Sequence, residues 1–465
     1  MKRRIGGIGL LLFFSSVVFA QTTPRYLDNP LPMGWEEDAT LFQQVLPVDD
    51  QWWKAFQDPM LDSLISVAVK RNYSVMLAID RINMAKANLR IERGNFFPTI
   101  GLNAGWTRQQ SSGNISELPQ STQQYYDASV NMSWELDLFG SIRNRVKAQK
   151  ENFAASKEEY TGTMVALCAQ IASAYINLRE LQQELTVIKK NSDSQAAVLK
   201  ITEVRYDTGL ASKLDVSQAK SVYFSTKASI PQIEAGINQY ITTLAILLGT
   251  YPQEVRPSLE RIGMLPDYME PIAVGLPADL LLRRPDIRSA ERQVNAQAAL
   301  VGASKSDWLP QIFLKGSIGY ASKDIKDFTQ NKSLTYEIAP AISWTLFKGT
   351  QLVNATKLAK AQLDQAINQF NQTVLTAVQE TDNAMNAYRN SIKQIVALRE
   401  VCNQGEETLK LSLELYKQGL SPFQNVLDAQ RSLLSYENQL VQAKGNSILQ
   451  LIAMYQALGG GWGDS

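Results

Sequence analysis

Hydrophobic and polar residues alternate in four short segments of the chain. In the clearest of them, 127–137, the apolar positions are Ala128, Val130, Met132, Trp134 and Leu136. A period of two places these side chains on one face of a β-strand and the polar side chains on the other. The same alternation covers 99–106, 312–320 and 336–346. The four segments predict two hairpins, 99–137 and 311–347, with polar loops at 108–125 and 321–335.

A long helical pattern follows each hairpin. Residues 141–208 contain no proline and one glycine, Gly162, while 351–418 contain no proline and only Gly405. Runs that are rich in Ala, Leu, Glu, Gln, Lys and Arg favour helix. At 1.5 Å per residue, each predicted helix is about 100 Å long, several times the usual helix of a globular domain.

The chain is a tandem duplication. Matching positions lie 210 or 212 residues apart, and they include 206–210 with 416–420, 248–249 with 458–459, and 97–98 with 309–310. We therefore predict a first repeat at 61–250 and a second repeat at 279–459, joined by an equatorial linker at 251–278.

Shorter helices are predicted before each hairpin and after each long helix. They cover 61–96 and 213–248 in the first repeat, and 279–308 and 422–458 in the second. The two short helices of the first repeat add up to about 70 residues, which is close to the length of the long helix. This match predicts that two short helices stack end to end beside each long one.

The first twenty residues predict a secretory signal peptide. Three basic residues at 2–4 precede an apolar run, and the small residue Ala20 allows cleavage before Gln21. The alternative, a retained anchor helix, fits less well because the run is short for a membrane span. Residues 21–60 then predict an extended N-terminal arm, and 460–465 form a C-terminal tail.

The chain is close to electrically neutral. It has 46 basic and 45 acidic residues, and removal of the three cations at 2–4 leaves 43 basic residues in the mature chain. This balance gives no reason to expect a nucleic-acid partner. The two cysteines, Cys168 and Cys402, lie inside the long helices, and we interpret them as buried free thiols rather than as a disulfide.

The strands predict an oligomeric membrane barrel. Segments of about ten residues that are apolar on one side and carry Trp or Tyr towards their ends are typical of outer-membrane barrels. A soluble sandwich is the alternative, but its apolar face would stay exposed here. Four strands cannot close a barrel, and lipid does not tolerate unpaired strand edges. Three copies would supply twelve strands, so we predict a homotrimer.

An enzyme is not supported by the residues. The chain has no histidine, which excludes His-based triads, most zinc sites and the commonest general base. It has neither a dinucleotide-binding glycine motif nor a Walker loop. We therefore predict no catalytic residue, no cofactor and no metal site.

Seven motifs lie in order along the mature chain. They are Trp52-Trp53 with Asp58-Pro59, Ser133-Trp134 with Leu138-Phe139-Gly140, Arg205-Tyr206 with Gly209 and Ser212, 247–249 (LLG), 281–287 (LLRRPDI), 427–432 (LDAQRS) and 457–462 (ALGGGW). With them the chain resembles the TolC-like outer-membrane efflux protein family, in its OprM-like branch. That branch supplies the outer-membrane factor of tripartite resistance-nodulation-division efflux systems.

The resemblance implies a mainly α fold with membrane β. Four strands from each protomer would join a trimeric, twelve-stranded β-barrel in the bacterial outer membrane, and the long helices would form an α-barrel in the periplasm. The partners would be a periplasmic adaptor (membrane fusion protein) and an inner-membrane pump. Many members carry a lipidated cysteine at the mature N-terminus, whereas this chain has Gln21, so anchoring would rest on the barrel.

The resemblance also implies functional positions. For the periplasmic gate these are Asp428 and Arg431, with Asp215 as a weaker candidate. For the adaptor-docking tips they are Tyr206, Gly209, Leu210, Ser212, Tyr416, Gly419, Leu420 and Ser421. The strand pattern adds Trp106, Trp134, Tyr320, Tyr336 and Trp344 as membrane-interface aromatics. A solvated i,i+3 ion pair is the alternative for Asp428 and Arg431.

Two other functions remain open at this level. A surface coiled-coil protein would account for the long helices but not for the hairpins that interrupt them. A protein-secretion duct of the same fold would differ only in cargo. The ending at 457–462 favours the efflux branch, yet no residue pattern names the exported substrate.

Overall fold

The computed structural model describes residues 26–35, 41–43, 51–112, 114, 122–266, 272–275 and 277–460. Its helices are α1 (Pro59–Arg71), α2 (Tyr73–Gly94), α3 (Ser141–Asp207), α4 (Lys213–Leu247), α5 (Pro252–Leu259), α6 (Leu280–Arg283), α7 (Pro285–Ser306), α8 (Gln351–Lys417) and α9 (Phe423–Ala457). Its strands are β1 (Phe42–Gln43), β2 (Thr99–Gln110), β3 (Thr122–Leu136), β4 (Ile272–Ala273), β5 (Gln311–Ser322) and β6 (Leu334–Ser343). The predicted signal peptide, Gln21 and residues 461–465 lie outside the described ranges.

The two hairpins form one antiparallel sheet with the order β2-β3-β5-β6. Two predicted boundaries are wrong. The first loop is shorter than 108–125, because β2 and β3 stay paired as far as Gln110 and Thr122. The last strand ends at Ser343 instead of continuing to Leu346. Pro340 lies within β6, an edge strand of this sheet, where a missing N–H is tolerated.

One face of the sheet is apolar and open to the surroundings. Ile100, Leu102, Ile318, Ile338 and Ile342 are all among its exposed side chains. They lie at alternate positions of their strands, as the period of two predicts. At Gly319 the strands approach closely, since a Cβ there would overlap the backbone of Ala128 and Ser129. The exposed apolar face needs a partner other than water.

Helices α3 and α8 are the two long rods, and each has 67 residues. Both start at the predicted residue and end one residue earlier than predicted. Helix α3 begins where Asp137 accepts the backbone N–H groups of Ile142 and Arg143, at 3.1 and 2.9 Å. This carboxylate satisfies donors that the first helical turn leaves free.

The helix predicted at 61–96 is wrong as a single element. It breaks at Asn72 into α1 and α2. The Asn72 carboxamide accepts the N–H groups of Ser74 and Val75, which makes it the N-cap of α2, and donates to the carbonyl of Leu247 at 2.7 Å. Helix α4 therefore ends where α2 begins. The stack beside α3 consists of α4 and α2, while α1 packs separately against α3.

We call the contact at which α4 ends and α2 begins a joint. The second repeat has an equivalent joint. Here 279–308 is also interrupted, with α6 ending at Arg283 and α7 starting at Pro285. Arg284 takes the place of Asn72 and donates to the carbonyl of Ala457, the last residue of α9, at 2.9 Å. Two carboxylates, those of Asp286 and Glu380, hold its guanidinium at 2.7 and 2.8 Å. The duplication thus extends to the contacts of the joints.

The largest core lies at the level of these joints. Trp52 is buried there and stacks on Tyr455, with ring centroids 5.3 Å apart. The described part of the arm crosses the second repeat, since the backbone N–H of Asp28 donates to Asn371 of α8. Both cysteines are free and buried, as predicted. Burial raises the pKa of Cys168 to about 12, so this thiol stays protonated and unreactive.

None of the described helices is long and apolar enough to cross a membrane.

Candidate functional site

The tight turns α3–α4 and α8–α9 are the candidate docking tips. Gly209 and Gly419 have φ angles of 75° and 76°, in the left-handed region that favours glycine. Leu210 and Leu420 follow them, and their N–H groups close the turns on the carbonyls of Arg205 and Leu415, at 2.7 and 2.9 Å. Both leucine side chains are exposed, at 66% and 71%. Each turn therefore presents one apolar side chain at its end.

The two tips differ in their tyrosines. Tyr206 is exposed and lies under the ammonium group of Lys213, 5.4 Å from the ring centroid. Its counterpart Tyr416 is buried and packs on Phe423, with ring centroids 5.0 Å apart. Tyr416 is therefore part of the tip core, and only Tyr206 is available to a partner.

Arg205 joins the two tips. Its guanidinium lies over the ring of Tyr416, 4.8 Å from the centroid, and donates to the carbonyl of Lys417 at 2.8 Å. Our sequence motifs contain Arg205 but assign it no role. The one signal in the sequence is that the equivalent position of the second repeat is Leu415, so a single arginine serves both tips.

Asp215 has a structural role at its tip. Its carboxylate accepts the backbone N–H of Ser212, and the Ser212 hydroxyl accepts the N–H of Asp215, both at 3.1 Å. This reciprocal pair is a capping box, which starts α4. Ser421 does not repeat it, because its hydroxyl accepts from the carboxamide of Asn425 at 2.9 Å.

Asp428 and Arg431 are both exposed on α9, about two turns above the tip. The Asp428 carboxylate accepts from Gln424 at 3.0 Å. Within the described chain there is no ion pair between Asp428 and Arg431. Asp428 also lines a groove of about 590 Å³ between α8 and α9, which passes Gly405. The protomer thus leaves both charges available to groups outside it.

The predicted interface aromatics fall into two bands. Trp106, Tyr320 and Tyr336 lie towards the loop end of the sheet and are exposed. Trp134 and Trp344 lie at the helix end, where their indole N–H groups donate to the carbonyls of Phe96 and Trp308, at 2.9 and 3.1 Å. Trp344 follows β6 instead of lying within it.

The spacing of the bands fits a membrane. Tyr126, which is paired with Trp106 across the strands, lies eight residues from Trp134 along β3. At about 3.3 Å per residue this is about 26 Å along the strand. With the tilt of roughly 40° that strands have in outer-membrane barrels, it is about 20 Å along the barrel axis, against an apolar band of about 25 Å.

Among the described residues, no group of three or more His, Cys, Asp or Glu side chains is placed to hold a metal ion.

Comparisons with known proteins agree with this architecture. The family model for "Outer membrane efflux protein" matches the chain twice, at residues 64–250 and 276–460. The solvent efflux pump outer membrane protein SrpC of Pseudomonas putida is 31% identical over 408 residues, which are 88% of this chain and 86% of that protein. The toluene efflux pump outer membrane protein TtgC of the same species is 28% identical over 93% of this chain and 89% of its own.

Solved structures of outer-membrane channels are also similar to this chain. The outer-membrane channel OprN superposes with a TM-score of 0.88 at 29% identity, covering 95% of this chain and 99% of that one. The MtrE outer membrane channel of Neisseria gonorrhoeae, in its open state, gives a TM-score of 0.80 at 25% identity over 94% and 96%. The predicted family and the mainly helical fold class are confirmed. The chain belongs to the outer membrane efflux protein family, which is a family of channels and not of enzymes, and it is a protein of the bacterial outer membrane.

Proposed function

We propose that three copies of this chain form a gated duct that carries small molecules across the outer membrane. The observation that supports this most strongly is the open sheet β2-β3-β5-β6, which has an exposed apolar face and two edge strands. Unpaired backbone groups at a strand edge are not tolerated in lipid. Strand β2 of one copy therefore pairs with β6 of the next.

Three copies fit a duct better than two. Two copies would supply eight strands, and the interior of an eight-stranded barrel is filled by side chains or holds one small ligand. Three copies supply twelve strands and leave a lumen. Each copy also contributes four rods to the periplasmic part, namely α3, α8 and the stacks α4–α2 and α9–α7, so a trimer has twelve.

The test of this proposal is the mass of the purified mature protein in detergent, together with its conductance in planar bilayers. We expect a trimer that gives small, flickering single-channel currents, because the channel is closed for most of the time. A monomer or a fibre without current would contradict the proposal and favour a structural coiled-coil protein.

The cargo is proposed to be small molecules delivered by a resistance-nodulation-division pump. The similar proteins are named for solvent and toluene efflux, and one is a pyoverdine export outer membrane protein. A duct that receives its cargo from a partner pump needs no substrate pocket of its own.

The tips are proposed to dock the periplasmic adaptor. Leu210 and Leu420 present exposed apolar side chains at the turns, while Gly209, Gly419, Ser212 and Ser421 set the turn geometry. Tyr206 adds an exposed ring beside them. Three copies would repeat both tips around a ring, so six leucines would meet the adaptor.

Replacing Leu210 and Leu420 with Asp is expected to weaken adaptor binding more than about tenfold, because buried leucines contribute roughly 1.5–3 kcal/mol each. The measurement is the dissociation constant for the purified adaptor of the same cells, in detergent. The matched control is Met264→Asp, an exposed apolar residue in the equatorial linker. Equal affinity for all three proteins would remove the tips as the docking site.

A further inference from the structure

The contact between α3 and α9 is polar along the lower half of the protomer. Three pairs across it are defined: Glu180 lies against Gly445, Glu184 bonds to Gln442, and Asn191 donates to Glu437. Gln195 and Gln430 lie further towards the tips; both are buried and retain side-chain atoms without hydrogen-bond partners. We call this contact the α3–α9 seam. It joins the helix pair α3–α4 to the helix pair α8–α9, which carries the gate candidates Asp428 and Arg431.

Two carboxyl groups in the seam lack a counter-ion. Glu180 and Glu184 are four residues apart, so they share one face of α3. Among the described ion pairs, none involves either residue. Glu184 is buried, and Glu180 is half-buried against the backbone of Gly445, where a Cβ would overlap its carboxylate. Glycine at 445 is what allows the Glu180 side chain to lie in the seam.

Among the described residues, no neighbouring cation forms an ion pair with Glu180 or Glu184. On α3, Lys190 pairs with Glu437 and Glu406, and Arg179 bonds to Gln182 and to the carbonyl of Arg261. On α9, Lys444 lies next to Gly445 in the sequence, but it is not among the groups that shift the pKa of Glu180 or Glu184. On α4, Gly236 lies against Leu181, and the nearest titratable residues along that helix are Glu234 and Tyr240, neither of which supplies a positive charge.

The other repeat has neutral residues at the matching positions. With the separation of 210 residues, Glu180 corresponds to Asn390, Glu184 to Gln394 and Gly445 to Ala235. Helices α8 and α4 of the duplicated fold therefore form with amides in place of both acids and with alanine in place of the glycine. The carboxyl pair and its glycine are an addition specific to the α3–α9 seam.

We propose that protonation of Glu180 and Glu184 controls how tightly α3 packs on α9, so that the duct is held closed at acidic pH and opens more readily above neutral pH. This regulation rests on the proposed function as a gated duct. When both groups are protonated, they are neutral and can stay between the helices. When both are ionised, they repel each other and require water, which favours separation of α3 from α9.

The direction of the pH effect follows from the raised pKa values of Glu180 and Glu184. Burial, and next the charge of Glu184, raises the pKa of Glu180 to about 7. Burial also raises the pKa of Glu184. An acid with a raised pKa binds its proton more tightly in the packed seam than in water. Packing is therefore most favourable at low pH, and it weakens as the pH rises from about 4.5 through about 7.

The test compares single-channel open probability at pH 5.5 and pH 8, with the same pH on both sides of a planar bilayer. We expect about a tenfold increase for the wild-type protein, which is less than the full linkage of one shifted group because water reaches Glu180. The variant E180N/E184Q, which copies the second repeat, should lose this dependence. Glu407→Gln, an exposed acid on α8, should keep it.

Gly445→Ala is a second variant that keeps both acids. Its Cβ would displace the Glu180 carboxylate from the seam into water, so the pH response should fall as it does in E180N/E184Q. A wild-type open probability that is equal at the two pH values, or a response that survives in E180N/E184Q, would overturn the proposal.

Amide hydrogen exchange tests the pH response of the seam independently of the proposed duct function. After correction for the intrinsic pH dependence of exchange, amides of α9 at 437–446 should exchange faster at pH 8 in the wild-type protein and not in E180N/E184Q. An absence of current in every protein would contradict the proposed duct function. Hydrogen exchange would still show whether the packing of α3 on α9 depends on pH. Exchange that is independent of pH in the wild-type protein would contradict the seam, whatever the currents show.

Discussion

Replacing Asp428 and Arg431 together with alanine is expected to raise the open probability of the channel strongly. Both residues are exposed on α9, and no ion pair between them exists within the described protomer. In a trimer they would meet the same residues of neighbouring copies at the constriction. Three exposed pairs at roughly 0.7 kcal/mol each give about 2 kcal/mol, or about a 30-fold shift towards the open state.

The measurement is single-channel recording of the double variant beside the wild-type protein at one salt concentration. The matched control removes Lys360 and Asp364, an exposed cation and anion of α8 that lie far above the tip. High salt should reduce the difference between wild type and D428A/R431A, because it screens exposed pairs. Unchanged currents in D428A/R431A would remove both residues from the gate and leave the fold unaffected.

Gly249→Ala is expected to cause a large loss of stability. Gly249 ends α4 with φ at 67°, and its N–H donates to the carbonyl of Ile246 at 3.0 Å. A Cβ at this position would overlap the carbonyl oxygen of Arg71, which belongs to the backbone and cannot rotate away. The left-handed conformation costs roughly 1–2 kcal/mol and the overlap roughly 1–3 more, so the loss is about 2–5 kcal/mol.

Gly209→Ala is the matched control for this variant. It has the same kind of backbone, with φ at 75°, but open space around the added Cβ. Its expected loss is only the roughly 1–2 kcal/mol of the left-handed conformation. Thermal unfolding in detergent should therefore place the midpoint of Gly249→Ala well below that of Gly209→Ala. Equal midpoints would mean that the backbone near Arg71 moves to accommodate the added Cβ at little cost in free energy.

Local patterns were sufficient for much of the architecture. The period of two in the hairpins and the uninterrupted runs at 141–208 and 351–418 predict the sheet strands and both rods, because these features depend on neighbouring residues. The glycines at 209 and 419 predict the tip turns for the same reason. Family membership also follows from the sequence, through motifs that extend over the whole mature chain.

The same patterns failed where a distant segment changes a local preference. The run 61–96 contains no proline and predicts one helix. Asn72 interrupts it because its side chain caps α2 and also bonds to Leu247, at the far end of the repeat. Similarly, the polar residues at 108–125 predict a loop, whereas pairing between the two strands extends β2 to Gln110 and starts β3 at Thr122.

Residue types at short spacing, or in a repeated order, are enough to predict the sheet strands, both rods, the duplication and the family. Which of two equivalent residues has which role depends on three-dimensional packing. Tyr416 is buried under Arg205 while Tyr206 is exposed, and Glu180 meets Gly445 across two helices. These differences arise because the two repeats have different neighbours, and a neighbour hundreds of residues away leaves no mark on local periodicity.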